Sequence, residues 1–184
     1  MKLISFDPAS SRNLGWAIVE TDGNQLVRIE ANTYVLPDLP DHWYACWPIF
    51  QFADNLLAVE NPDIVIVEQT SSFGGGKNFV RGQVSHSMGC ILAATGKHSR
   101  NLEYVFPTHV KKVVTDNGKA SKSVMKKAAA MYNNGEKIKS EHAADALCNI
   151  VCYLVDQNII ERKPITFVPI KRKVKPKKKQ DHDN

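Results

Sequence analysis

Lys2-Leu3-Ile4-Ser5-Phe6-Asp7 is the stretch on which the fold turns. A short apolar run of this kind predicts a buried strand. It ends on an acid, and Pro8 with a Ser/Asn-containing turn follows at once. A carboxylate is costly to place against a core unless it is paired or ligates something. Asp7, delivered where the chain leaves its strand, is therefore the first candidate for chemistry.

Outward from it, Leu14 to Glu20 is apolar and β-branched, and Asp22-Gly23 is a hairpin signal. Gln25 to Val35 alternates in strand fashion, which predicts three antiparallel strands in a meander. His42 to Val59 carries Trp43, Cys46, Trp47, Phe50, Ala53, Leu56 and Leu57 at helical spacing, with Pro48 in the first turn or at a kink. Asp63 to Val67 reads as a strand buried on both faces, and it too ends on an acid, Glu68. A Gly-rich loop spans Ser71 to Lys77. A helix is expected over Val80 to Ala94, a strand over Glu103 to Phe106, and a helix from Pro107 to about Val114. Ser121 is the expected N-cap of a helix to Tyr132, and a last helix runs from about Ser140 to Asn158. This order predicts an α/β domain with a mixed five-stranded sheet, three antiparallel strands and two parallel, flanked by helices. The first strand and the Asp63 strand are the most apolar, so they belong side by side at the centre. If they run parallel, both acids emerge at neighbouring strand ends.

Of 184 residues 43% are apolar, which suits one domain with a sizeable core. Nothing in the sequence is long and apolar enough to cross a bilayer, and the chain starts directly in a strand-like segment, so a cytoplasmic protein with no membrane partner is expected. Cys46, Cys90, Cys148 and Cys152 lack zinc-ribbon spacing, and Cys148 and Cys152, four apart in an apolar helix-like stretch, read as buried thiols. The net charge of +5 is uneven: residues 171–184 hold seven Lys/Arg against two Asp and account for the whole excess. We expect a domain over residues 1–158 and a basic, disordered tail over 159–184 that seeks phosphates.

The last helix begins Ser140-Glu141-His142-Ala143-Ala144-Asp145. His142 and Asp145, three apart, share one helix face. With Asp7 and Glu68 they make a set of three carboxylates and an imidazole. Each acid alone could cap a helix or form an ion pair. Three together repel one another, and a hard divalent cation such as Mg²⁺ is what such an oxygen-rich cluster holds. Two-metal chemistry on a phosphodiester is the matching reaction, with His142 as ligand or proton carrier.

In these residues the sequence resembles the RuvC-type Holliday junction resolvases. Asp7-Pro8-Ala9-Ser10 with Gly15-Trp16-Ala17 is similar to their first motif, and Val67-Glu68-Gln69 to their second. Gly82-Gln83 and Gly89 resemble the following helix, Val110-Lys111, Gly118 and Ser121-Lys122 their basic segment, and His142-Ala143-Ala144-Asp145-Ala146 their last motif. The likeness runs from about residue 2 to 155 and is similar to viral and phage branches in its compactness. It implies an RNase H-like fold, a homodimer, and Mg²⁺-dependent (or Mn²⁺-dependent) symmetric nicking of four-way DNA junctions, with two ions per site. It implies metal ligands at Asp7, Glu68 and Asp145, and at His142, where many members have Asp. It implies DNA contacts at Lys111 and Lys122, and an aromatic wedge at Phe73, with Phe79 as rival. The sequence departs from the pattern at Ala9, where Gly is usual, and in one extra residue between Asp7 and Gly15.

Lys112, Lys119, Lys77 and Arg81 are further candidate DNA contacts. Basic residues from Lys97 and Arg100 through Lys126, Lys127, Lys137 and Lys139 suggest one phosphate-contacting face. Other readings share these acids: an RNase H-fold nuclease acting on flaps, forks or RNA–DNA hybrids, or a non-catalytic branched-DNA-binding module. An actin-like ATPase would need a longer chain and a second phosphate loop.

Overall fold

The computed structural model describes residues 1–8, 13–38, 42–69 and 78–164, without the side chains of 42–43 and 78–83. Five strands are β1 (Lys2–Asp7), β2 (Asn13–Asp22), β3 (Gln25–Val35), β4 (Ile64–Glu68) and β5 (Asn101–Val105). Five helices are α1 (Cys46–Glu60), α2 (Asn78–Lys97), α3 (Pro107–Thr115), α4 (Lys122–Tyr132) and α5 (Glu141–Asp156), with a 3-10 turn at His42–Ala45 before α1. The sheet order is β3-β2-β1-β4-β5. β1 pairs antiparallel with β2, and β2 with β3; β1 and β4 are parallel, as are β4 and β5.

The alternation of side chains along β1 splits the core in two. Leu3 joins a cluster built on α5 that includes Ala143, Leu147, Ile150 and Val151, together with Val110 of α3 and Met125 of α4. Ile4 and Phe6 point the other way, to a second cluster with Ile49, Ala53 and Leu57 of α1 and Ile91 and Ala94 of α2. β4 repeats the division, with Ile66 on the α5 side and Val65 and Val67 on the α1/α2 side. These central strand residues are fully buried, as their β-branched run predicts.

Pro48 sits in the first turn of α1, where its missing N–H has no helical partner to lose. Asn61 ends α1 in the left-handed conformation, which a short amide side chain tolerates. Ser121 occupies the N-cap of α4 but makes no capping bond there; its hydroxyl meets that of Ser123. The domain also reaches past the expected limit at 158. Ile160 is buried in the α5 core, Arg162 pairs with Asp116, and the Lys163 N–H donates to the Tyr132 hydroxyl at 2.9 Å. Composition alone assigns these residues to the tail because a single buried isoleucine carries no periodicity. The charge-dense remainder, 165–184, lies outside the described residues.

Candidate active site

In β1 and β4, Phe6 is the partner of Val67, so the next residues, Asp7 and Glu68, leave the sheet as neighbours. Period-2 alternation places Asp7 with Leu3 and Ser5, and Glu68 with Ile66, on the face that α5 covers. The start of α5 is brought to them by Gly15. This glycine is the β2 partner of Asp7, and a Cβ built on it would collide with the His142 carbonyl group. Strand and helix backbones therefore touch where only glycine fits, and His142 is set directly over Asp7. Ser140 caps α5, accepting from the Ala143 N–H at 3.4 Å, and its own hydroxyl receives that of Thr33.

His142 Nδ1 lies 2.8 Å from Asp7 Oδ2. Asp145 is one turn further on, with Lys122 Nζ at 3.4 Å from its Oδ2. Asp7, Glu68, His142, Asp145, Lys111 and Lys122 all line one cavity of about 260 Å³ between α3, α4 and α5. Its remaining wall is Pro107, Val110, Met125 and Asn149.

The cavity is short of positive charge. Burial, then the charges of Asp7 and Asp145, push the Glu68 carboxyl up to about 8. Asp145 is raised as well, by burial and by Asp7. The Asp7 hydrogen bond holds the His142 imidazole above its usual value. Burial opposes the charge on Lys122, but Asp145, Asp7 and Glu141 outweigh it and raise that ammonium. For Glu68 and Asp145 the shifts mean carboxyls disfavoured as anions by burial and then by neighbouring charge, a penalty that a cation in the cavity would offset.

A divalent ion fits the residues present. The donors are three carboxylates and one imidazole, a hard set that suits Mg²⁺ or Mn²⁺. Asn149 adds an independent sign. It is fully buried, lines the same cavity, and neither its amide nitrogen nor its oxygen has a hydrogen-bond partner. Ser5, two residues before Asp7 on the same strand face, is likewise buried with an unpartnered hydroxyl. Unsatisfied buried groups are costly, and they are expected where a ligand or ordered water completes the site. Sequence reading misses Asn149, although it is four residues after Asp145 and so on the same helix face, a polar interruption of an apolar stripe.

The other predicted contacts separate. Lys111 and Lys122 enter the cavity. Lys112 is exposed and donates to the Asp116 carbonyl at 3.0 Å, and Lys119 is exposed outside the cavity. Arg81 lies in α2, with its side chain, like that of Phe79, outside the described residues; Phe73 and Lys77 lie outside them altogether. The long basic segment is not one face. Lys97 pairs with Asp54 of α1 at 2.7 Å, and Arg100 bonds Asn61, on the sheet face opposite the cavity. β5 carries the chain from one helix layer to the other, and charge counting along the sequence cannot register that crossing.

Known proteins resemble this chain in sequence and in fold. A family model described as crossover junction endodeoxyribonuclease RuvC matches residues 3–153. The RuvC protein of Caldanaerobacter subterraneus subsp. tengcongensis is 25% identical over 164 residues, covering 88% of this chain and 97% of that one. The RuvC protein of Anaeromyxobacter dehalogenans strain 2CP-C is 31% identical over 155 residues, covering 84% and 80%. Among solved structures, Thermus thermophilus RuvC in complex with a Holliday junction substrate superposes with a TM-score of 0.73 at 20% identity, over 85% of this chain and 94% of that one.

Proposed function

The chain belongs to the RuvC family of crossover junction endodeoxyribonucleases and has their RNase H-like fold, and from that premise we propose that it resolves four-way DNA junctions by Mg²⁺-dependent hydrolysis at the Asp7–Glu68–His142–Asp145 cavity. The observation that carries this is the convergence of three carboxylates and a histidine, from two strand ends and one helix, on a single cavity bordered by Lys111 and Lys122.

Asp7, Glu68 and Asp145, with His142, are the residues that would hold the divalent ions, two Mg²⁺ or Mn²⁺ in this reading. A metal held there would supply Lewis-acid activation of water and neutralise charge on the phosphate. Asp7 fixes the His142 ring through Nδ1. The other ring nitrogen is left to ligate or to take the proton of the attacking water, and Asp7 then stabilises the imidazolium that forms. Lys111 and Lys122 bind backbone phosphate oxygens and position the strand without reading sequence. Water adds to phosphorus as a backbone P–O bond breaks, leaving a phosphate and a hydroxyl end.

Symmetric cleavage of a junction requires two such sites, so the working unit is a homodimer. The exposed Tyr44 and Trp47, beside the α1/α2 layer and away from the cavity, supply apolar surface for that contact. The basic segment 171–184 acts as a non-specific arm on DNA. No described helix is long and apolar enough to cross a membrane.

The test is a synthetic four-way junction incubated with the protein, with and without Mg²⁺. Paired, ligatable nicks are expected only with metal. Asp7→Asn is expected to keep junction binding in a mobility-shift assay and to lower cleavage by about 10³-fold or more. Cleavage of flaps or forks in preference to the junction would assign the same site to another branched substrate.

A further inference from the structure

The far end of α5 carries a second cluster of ligating side chains that the nuclease reaction does not use. Cys152 and Asp156 are four apart and share a helix face. His109, near the start of α3, meets them: its Nε2 is 2.8 Å from Asp156 Oδ2, and the Cys152 thiol donates to that same oxygen at 3.5 Å. One ligand atom from each residue lies within 4.8 Å of the others. Asp156 is the last residue of α5, at the negative end of the helix dipole, where an anion is unfavourable. Among the described residues no Lys or Arg pairs with it; His109 and Cys152 are its partners.

We propose that His109, Cys152 and Asp156 form a second cation site, which takes a borderline-soft divalent ion, Zn²⁺ before others, with water as fourth ligand. Thiolate and imidazole select such ions, whereas the nuclease cavity offers mainly oxygen. Zinc bonds of about 2.0–2.3 Å to nitrogen, oxygen and sulfur can be met from one point between these atoms by side-chain adjustment. The ion replaces the two hydrogen bonds; the thiol proton leaves to solvent, as does any proton held between His109 and Asp156. Access is from the exposed His109–Asp156 side, while the buried Cys152 closes the inner side. Because His109 precedes Val110 and Lys111, which line the nuclease cavity, the ion ties that wall to α5. This goes beyond the proposed nuclease reading and does not depend on it.

The experiment titrates the full-length reduced protein with Co²⁺ as a spectroscopic stand-in for Zn²⁺. With excess Mg²⁺ present to occupy the carboxylate cavity, expected are a sulfur-to-cobalt charge-transfer band that saturates at one equivalent, its displacement by Zn²⁺, and its persistence in Asp7→Asn. Cys152→Ser removes the band, and His109→Gln, an exposed change that leaves the core intact, weakens Co²⁺ binding by about tenfold or more. A wild-type protein without the band overturns the proposal, and so does a band that survives in Cys152→Ser.

Discussion

The two ends of α5 use one helix in opposite ways. At its N-terminal end His142 and Asp145 face Asp7 and Glu68 across a cavity whose donors are mostly carboxylate oxygens. At its C-terminal end Cys152 and Asp156 face a single imidazole, with sulfur in the set. The first end concentrates negative charge until Glu68 is pushed to about 8 by burial and its acidic neighbours. The second holds one carboxylate, already partnered by His109. Charge density and donor hardness, not the helix, decide what each end can do. The first suits a hard ion over a phosphate; the second suits a structural clamp between α3 and α5.

That contrast can be broken most directly by kinetics. Asp145→Asn is expected to lower junction cleavage by about 10³-fold or more, while Cys152→Ser leaves the Mg²⁺-dependent rate within about twofold of wild type. A large rate loss in Cys152→Ser would join the two ends into one functional unit. Next in size is Gly15→Ala. The added Cβ meets the backbone of His142, which cannot swing aside as a flexible side chain would. A stability loss of about 1–3 kcal/mol in urea unfolding is expected, with cleavage reduced because the His142–Asp7 pair is displaced. Wild-type stability in Gly15→Ala would show that the helix start is not seated on β2 as described. The smallest effect sharpens the chemistry of the first end. Asn149→Leu removes two unsatisfied buried amide atoms at similar volume, so the metal-free protein should gain stability by about 1 kcal/mol. A loss instead would mean that the amide is hydrogen-bonded through water in the resting protein.

Much of the first end is legible in the sequence. Asp7 and Glu68 stand out because each closes an apolar strand, and period-2 alternation with a parallel pairing is enough to make them neighbours. His142 and Asp145 are readable as an i, i+3 pair. Asn149 escapes notice because one polar residue in a buried helix has no pattern of its own. The second end is not legible at all. Cys148 and Cys152 read as core thiols, and both are buried as that reading expects. His109 is 43 residues from Cys152 in the sequence, and only the packing of α3 on α5 brings them together.

The sequence by itself pointed to the strand and helix order, the mixed sheet, and the three acids and histidine that the structure gathers at one cavity. It could do so because hydrophobic periodicity and strand-end acids are local signals. Only the tertiary structure decided that Gly15 seats α5 on β2, that Lys97 and Arg100 fall on the far side of the sheet from Lys111 and Lys122, and that residues 159–164 close over α4. Each of these depends on which faces meet, and a face becomes a contact only when a partner distant in the chain is packed against it.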